Sequence, residues 1–221
     1  QARKLGEGAK LYKKELEKDT TIIWSLAGSI FSAGLRGLVI ESIRNNLVDC
    51  LVCTGALFEQ DMLEALGHKH YAQTSNNGDA ELQNLLIDRI YDHLLDEIAL
   101  RQVDLTFKKI AEDCQEGNYS SRQYIENCGR WLSKAENVHE SVMQTAFEHN
   151  VPIFIPAIND SSIGIGLAMN QNEGNRISIE GAIKKSKEIG LRKVIPLKTS
   201  GAFHSPLMKS ARNSLSKVIK S

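Results

Sequence analysis

Residues 22–71 read IIWSLAGSIFSAGLRGLVIESIRNNLVDCLVCTGALFEQDMLEALGHKHY, and this stretch decides the fold. Val48 to Cys53 is a dense apolar run, too short for a helix and suited to a buried strand. It breaks at Thr54-Gly55-Ala56, after which Phe58, Met62, Leu63 and Leu66 recur at helical spacing. Upstream, Thr21 to Leu26 reads as a first strand. A turn of small residues follows (Ala27, Gly28, Ser29, then Ser32, Ala33, Gly34), and Leu38, Ile40 and Ile43 mark a helix that stops at Asn45-Asn46. The pattern predicts an α/β fold, a parallel sheet with helices on both faces. At such a strand–turn–helix junction, free N–H groups and the helix dipole favour an anion such as a dinucleotide phosphate. No GxGxxG occurs, and a small-residue turn also serves simply to let a helix pack closely, so the pattern alone leaves both readings open.

Composition sets the outer limits. The chain has 221 residues and 42% hydrophobic content, enough for one good core or one core with a small appendage. Lysine plus arginine and aspartate plus glutamate each number 27, so no global field recruits nucleic acid or an anionic membrane. No apolar run approaches the roughly 20 residues of a membrane span, and the N-terminus does not read as a signal peptide. The four cysteines fit a reducing compartment, and a cytoplasmic location is the expectation. Cys50 and Cys53 spell CxxC, but strand positions three apart face opposite sides, and buried thiols are expected there rather than a metal or redox pair.

Residues 2–19 read as a lysine-rich amphipathic helix with Leu5, Tyr12 and Leu16 as apolar positions, weakened at its start by Gly6 and Gly8. His68 and His70 alternate like an extended metal pair, yet no nearby carboxylate completes a site, so they are expected as solvated loop histidines. Residues 74–80 form a polar loop. Leu82, Leu85, Leu86, Ile90, Leu94, Leu95 and Ile98 then recur at helical intervals as far as Arg101, and Asp104 to Cys114 continues in the same manner. Ser120-Ser121 can cap a helix, and Asn137-Val138-His139 is expected to open another that closes at Asn150. This helical middle is expected to supply packing and oligomer surface, with His139 and His149 on the outside. Val151 to Pro156 reads as a second buried strand, and ligands of open α/β sheets gather at such carboxyl ends. Asp160, just beyond it, is able to close an Asx turn.

Three blocks, AGSIFSAGLR, DCLVCTGALFEQD and PIFIPAINDSSIG, resemble in order and spacing three blocks of the deoxyhypusine synthase family, over about Leu11 to Met169. That resemblance implies NAD as cofactor and spermidine or a related polyamine as substrate. Its aminobutyl group passes to an acceptor amine, a protein lysine in the eukaryotic and archaeal enzymes. It also implies a homo-oligomer, a tetramer with active sites between subunits. Cofactor contacts carried over by the resemblance are Gly28, Ser29 and Ser32, then Thr54, Gly55, Ala56 and Glu59, and finally Asp160. The chain departs from the family where Gly28-Ser29 replaces Ser-Asn of the eukaryotic enzymes, and where Gln60 replaces the second of two glutamates. Ile165 stands where the family has the aspartate that binds the polyamine.

Beyond about Gly174 the tail, with VIPLKTSGAFHSPLM, resembles the block around the catalytic histidine of malonyl-CoA:acyl carrier protein transacylases. His204 takes the histidine's place, but no G-x-S-x-G elbow occurs to supply its serine, and acyl transfer is not expected. The expected division is therefore 1–173, a synthase-like NAD-binding core, and 174–221, a transacylase-like segment. The synthase family's covalent lysine follows a Trp-Gly pair. Neither Trp24 nor Trp131 has Gly-Lys after it, and Lys184, Lys185, Lys193 and Lys198 lack the surroundings of a nucleophile. No catalytic residue is assigned. The leading function is NAD-dependent aminobutyl transfer, with a non-catalytic dinucleotide- or polyamine-binding or assembly module as the alternative and malonyl transfer third.

Overall fold

The structure is a computed structural model that describes residues 2–18, 20–74, 77–174 and 177–179. The tail lysines 184, 185, 193 and 198 and His204 lie outside the described residues, as does most of the segment 174–221. In chain order the first elements are α1 (Ala2–Leu16), β1 (Ile23–Leu26), α2 (Arg36–Arg44), β2 (Cys50–Cys53) and α3 (Gly55–Ala65). Next come β3 (Tyr71–Ala72), α4 (Asp79–Asn84), β4 (Ile87–Ile90), β5 (His93–Asp96) and α5 (Glu97–Glu112). The remainder is β6 (Gly117–Asn118), α6 (Ser121–Leu132), α7 (Val142–Glu148), β7 (Ile153–Phe154), α8 (Ser162–Asn172) and β8 (Ile177–Ser178).

The parallel sheet anticipated from the two strand–turn–helix units is present, in the order β1-β2-β7. Trp24 pairs with Leu51 and Leu51 with Ile153, so the three strands run in step and release their turns on one side. β2 is central. Its Leu51 and Cys53 are buried while Cys50 and Val52 are half-buried, because the strand is covered on both faces. Burial pushes the Cys53 thiol up to about 12, so it behaves as a small apolar side chain. The core continues through Val39, Ile40 and Ile43 of α2, Leu57, Phe58, Met62 and Leu63 of α3, and Val103, Phe107 and Ile110 of α5. Leu38, read from the sequence as an inward position, is exposed, and Val39 packs in its place.

The helical reading of Leu82 to Arg101 is wrong for most of its length. α4 ends at Asn84, and an antiparallel hairpin, β4 with β5, occupies the middle and takes β3 on its outer edge. Leu86 and Tyr91 adopt φ of 55° and 57°, which ends the helix and turns the hairpin without a glycine to announce either. Of the apolar residues at helical spacing, Leu82 and Leu95 are buried whereas Leu85 and Leu86 face solvent. Asp96 then accepts a hydrogen bond from the Ile98 N–H at 2.7 Å and starts α5.

Other expectations hold with shifted boundaries. α1 is regular from Ala2 despite its glycines, none of its residues is buried, and Leu5 is exposed. It is tied down by Tyr12, whose hydroxyl donates to the Leu47 carbonyl and accepts from Trp24 Nε1 at 3.1 Å. Ser120 caps α6 through a full capping box with Gln123. Asn137 sits at φ 58°, so α7 opens only at Val142, capped by Ser141, and Asn150 at φ 59° closes it. α6 and α7 cross at Gly129, where a Cβ would come within 2.3 Å of the Met143 carbonyl oxygen and 2.7 Å of Phe147 Cβ. Gly129→Ala is therefore expected to cost about 1–3 kcal/mol through overpacking. A urea midpoint equal to that of the unsubstituted chain would show that the crossing can relax.

Candidate functional site

The three turns that leave β1, β2 and β7 form the candidate site. In the first, Gly28 and Gly34 take φ of 78° and 86°, a conformation that disfavours side chains. The Ser32 N–H donates to Gln60 Oε1 at 3.0 Å, while its own hydroxyl is buried and has no partner among the described residues. Phe31 packs edge-on against Phe58, with ring centroids 6.3 Å apart. Gly28 is exposed and Ser29 half-buried.

The second turn is Thr54-Gly55-Ala56. Thr54 is exposed and occupies the cap position of α3 in extended backbone, but its side chain makes no capping bond. Gly55 opens the helix. A Cβ here would lie 2.4 Å from Ser161 Oγ and 2.6 Å from Ser161 Cβ, so only glycine lets this turn meet the third. In that third turn the Asp160 N–H donates to the Ala157 carbonyl and the Asp160 side chain stands exposed. Ser161 donates its hydroxyl to the Ile158 carbonyl at 2.8 Å. Because β2 is the central strand, Thr54-Gly55-Ala56 sits between the turns carrying Gly28 and Asp160.

Glu59 does not serve the start of its own helix. Its Oε2 accepts the Ser162 N–H at 2.9 Å, so it neutralises the N-terminal dipole of α8 from across the site. Burial pushes the Glu59 carboxyl up from its ordinary value; Ser162 opposes that shift, and the charges of Asp104 and Asp88 add to it. Asp104, on α5, also bonds the Ser162 side chain, and burial raises its carboxyl too. One Asp104 oxygen, Oδ1, is buried without a partner among the described residues. Asp88, Glu97, Arg101 and Asp104 line an open cleft of about 650 Å³ beside this cluster. Asp104 and Ser162 escaped the sequence reading; an acidic residue next to Val103 was the faint signal available.

Behind the turns lies a second polar network. Arg36 donates through Nη1 to Asp61 at 3.2 Å and through Nε to Glu64 at 2.6 Å. Glu64 in turn bonds His70 Nδ1 at 3.0 Å. Burial opposes ionisation of Glu64, but the His70 hydrogen bond and the Arg36 charge outweigh it and hold the carboxyl below its ordinary range. The expectation of a solvated His70 with no carboxylate nearby is thus corrected: its side chain is 5% exposed and Glu64 is its partner. His68, half-buried, bonds Gln102 at 2.9 Å. His139 and His149 are exposed, as anticipated. Among the described residues no group of three or more His, Cys, Asp or Glu could hold a metal, and no helix is long and apolar enough to cross a membrane.

Comparison with known proteins gives this geometry a context. A sequence profile of the deoxyhypusine synthase family matches residues 1–203. A "Deoxyhypusine synthase-like protein" of Chlorobaculum parvum is 40% identical over 193 residues, 86% of this chain and 55% of that protein. A "Probable deoxyhypusine synthase 2" of Methanosarcina mazei is 40% identical over 190 residues, 86% of this chain and 55% of its own length. The chain thus spans about half the length of the curated relatives it matches. A crystal structure of an Entamoeba histolytica protein assigned to the deoxyhypusine synthases superposes with a TM-score of 0.50 at 20% identity, covering 76% of this chain and 52% of the other, which supports the fold. The profile runs well past Met169 and takes in much of the tail, and nothing in these comparisons supports the transacylase resemblance.

A pH dependence follows from the Glu59–Asp104 cluster. A carboxyl whose folded-state pKa is raised stabilises the fold at acid pH and loses that stability as pH rises above its ordinary value, 3.8 for Asp104. Asp104→Asn removes the burial of that charge and its repulsion with Glu59. The variant is therefore expected to resist urea better than the unsubstituted chain at neutral pH, with the difference vanishing in acid. A less stable variant at neutral pH would mean that Asp104 is held by an attraction outweighing its burial.

Proposed function

The chain belongs to the deoxyhypusine synthase family, and from that premise we propose that it binds NAD across the turns leaving β1, β2 and β7. The observation that carries this reading is the contact of Gly55 with Ser161, which sets the start of α3 directly against the turn that opens α8. The α3 N-terminus has no side-chain cap, so its first N–H groups and the helix dipole are available to a pyrophosphate. Gly28, Ser29 and Ser32 flank one side of that position, Thr54, Gly55, Ala56 and Glu59 its centre, and Asp160 the other. The exposed Asp160 carboxylate is suited to a ribose hydroxyl, whereas the Ser32 hydroxyl is buried from solvent. The residues therefore fit a dinucleotide.

In the proposed reaction NAD would accept a hydride from spermidine or a related polyamine, the aminobutyl part of the resulting imine would pass to an acceptor amine with release of the remaining diamine, and NADH would return the hydride to the new imine. A non-catalytic dinucleotide-binding or assembly module is the second reading. It is favoured by Ile165, an apolar side chain half exposed at the position where the family resemblance puts the polyamine's aspartate. Borohydride trapping of a labelled aminobutyl adduct, with NAD and spermidine present, separates the two. We also propose a homo-oligomer, since Ile98 and Leu105 on α5 and Ile165 and Met169 on α8 remain exposed. Light scattering at micromolar concentration is expected to give a multiple of the chain mass, and a monomer would count against the interface.

NAD affinity is expected to be low, with a dissociation constant looser than about 0.1 mM, roughly −5.5 kcal/mol, because Gly28-Ser29 and Gln60 depart from the family pattern. Asp160→Ala should weaken calorimetric binding further. Unchanged affinity in that variant would remove Asp160 from the site.

A further inference from the structure

The strands of the parallel sheet release the candidate-site turns at one end, and a separate cavity of about 190 Å³ opens at the other, where the chain enters β7. Ile125, Met143, Ala146, Phe147 and Val151 supply its apolar wall, and Arg122, Glu126 and Asn150 stand at its rim. The three rim residues differ in how they are satisfied. Arg130 donates to Glu126 at 3.0 Å and lies over the Phe147 ring, 5.4 Å from its centroid, so the Glu126 charge is matched and that wall is braced from outside. The exposed Arg122 has no ion pair or hydrogen bond among the described residues, and the Asn150 side chain has none either. The Arg122 charge reaches Cys50, where β2 begins, and opposes the rise that burial imposes on that thiol. The guanidinium therefore leans over this end of the sheet.

The backbone limits what the cavity can take. The Val151 N–H donates to the Ala146 carbonyl at 2.9 Å and the Ile155 N–H to Ser121 Oγ at 3.1 Å, so α7 and α6 close the outer edge of β7 on both sides of Ile153. An extended peptide has no room to pair along that edge, and the space suits a compact molecule. An apolar cavity of about 150 Å³ is enough for benzene, so a body of about six carbons fits here. An unmatched guanidinium beside an apolar wall selects an anion with a hydrocarbon part, and its planar fork matches a carboxylate. We propose that this cavity binds a small apolar carboxylate, with the hydrocarbon lodged between α6 and α7 and the carboxylate held by Arg122 and the Asn150 amide. The site is separate from the turns leaving β1, β2 and β7 and does not depend on what they bind.

The test titrates the full chain with isocaproate and follows amide shifts by NMR. Saturable shifts are expected at Ile125, Ala146 and Ile153, with Gly28 and Gly55 unmoved. Acetate carries the charge without the hydrocarbon, and isocaproamide the hydrocarbon without the charge; each is expected to bind at least about tenfold more weakly. Arg122→Gln, at an exposed side chain, is expected to lose about tenfold in affinity for isocaproate. Ala146→Leu, which fills the cavity, is expected to abolish binding, and if that variant does not fold, Arg122→Gln decides alone. Unchanged affinity in Arg122→Gln would overturn the proposal. Acetate binding as tightly as isocaproate would mark an adventitious ion pair at the surface and would overturn it too. Leucine binding more tightly than isocaproate would mean that Glu126 receives an ammonium, which overturns the assignment to a simple carboxylate. An absence of saturable shifts at the cavity would end the proposal outright.

Discussion

The carboxylate of Asp61 has no contact with solvent, and two other segments take their places from the way it is satisfied. It accepts the Ser141 hydroxyl at 2.8 Å and the N–H groups of Val142 and Met143 at 2.9 and 3.1 Å, which makes it the effective cap of a helix far away in sequence. Arg36 adds its charge from the start of α2. Burial still pushes the Asp61 carboxyl up, against the pull of Arg36 and the three donors. A carboxylate taken out of water costs several kcal/mol unless such partners surround it, and deleting one partner strands the others. The positions of α2 and α7 relative to α3 therefore follow from one side chain.

Asp61 is one of four polar residues with which α3 holds its neighbours. Glu59 goes to the start of α8, Gln60 to the turn after β1, Asp61 to α7 and α2, and Glu64 to Arg36 and His70. The apolar residues of the same helix, Leu57, Phe58, Met62 and Leu63, fill the core. Most of α3 is buried, so its polar side chains act as internal fasteners and not as a solvated face. The consequence for the site is rigidity by construction. All three turns are braced to a single helix, by Gln60, by the chain itself at Thr54, and by Glu59 with the Gly55–Ser161 contact. A site whose supporting bonds are fixed in this way loses little freedom when a ligand arrives.

Some of this could be read in advance, and the reasons are local. The β2 run, the small-residue break and the helical spacing after it report burial that depends on nearest neighbours along the chain. The capping serine at position 120 likewise needs only the next three residues to act, as its pairing with Gln123 shows. The hairpin between Leu86 and Asp96 gave no such sign, because leucines at helical spacing fit equally well on the two sides of a short sheet. Its turns rest on Leu86 and Tyr91 at positive φ, where no glycine or asparagine marks the turn.

Local sequence alone settles the parallel strand–turn–helix units and the family to which the chain belongs, whereas the need for glycine at position 55 comes from Ser161 on a distant turn. The first two depend on residue type and on spacing within a few turns of chain. Only the tertiary structure decided the partners of Glu59, Gln60, Asp61 and His70 and the burial of Asp104. The groups they meet, at Ser162, Ser32, Val142, Glu64 and again Ser162, include residues up to 103 positions away. A polar side chain reads the same in sequence whether it faces water or a distant N–H, and only the folded chain brings that N–H within reach.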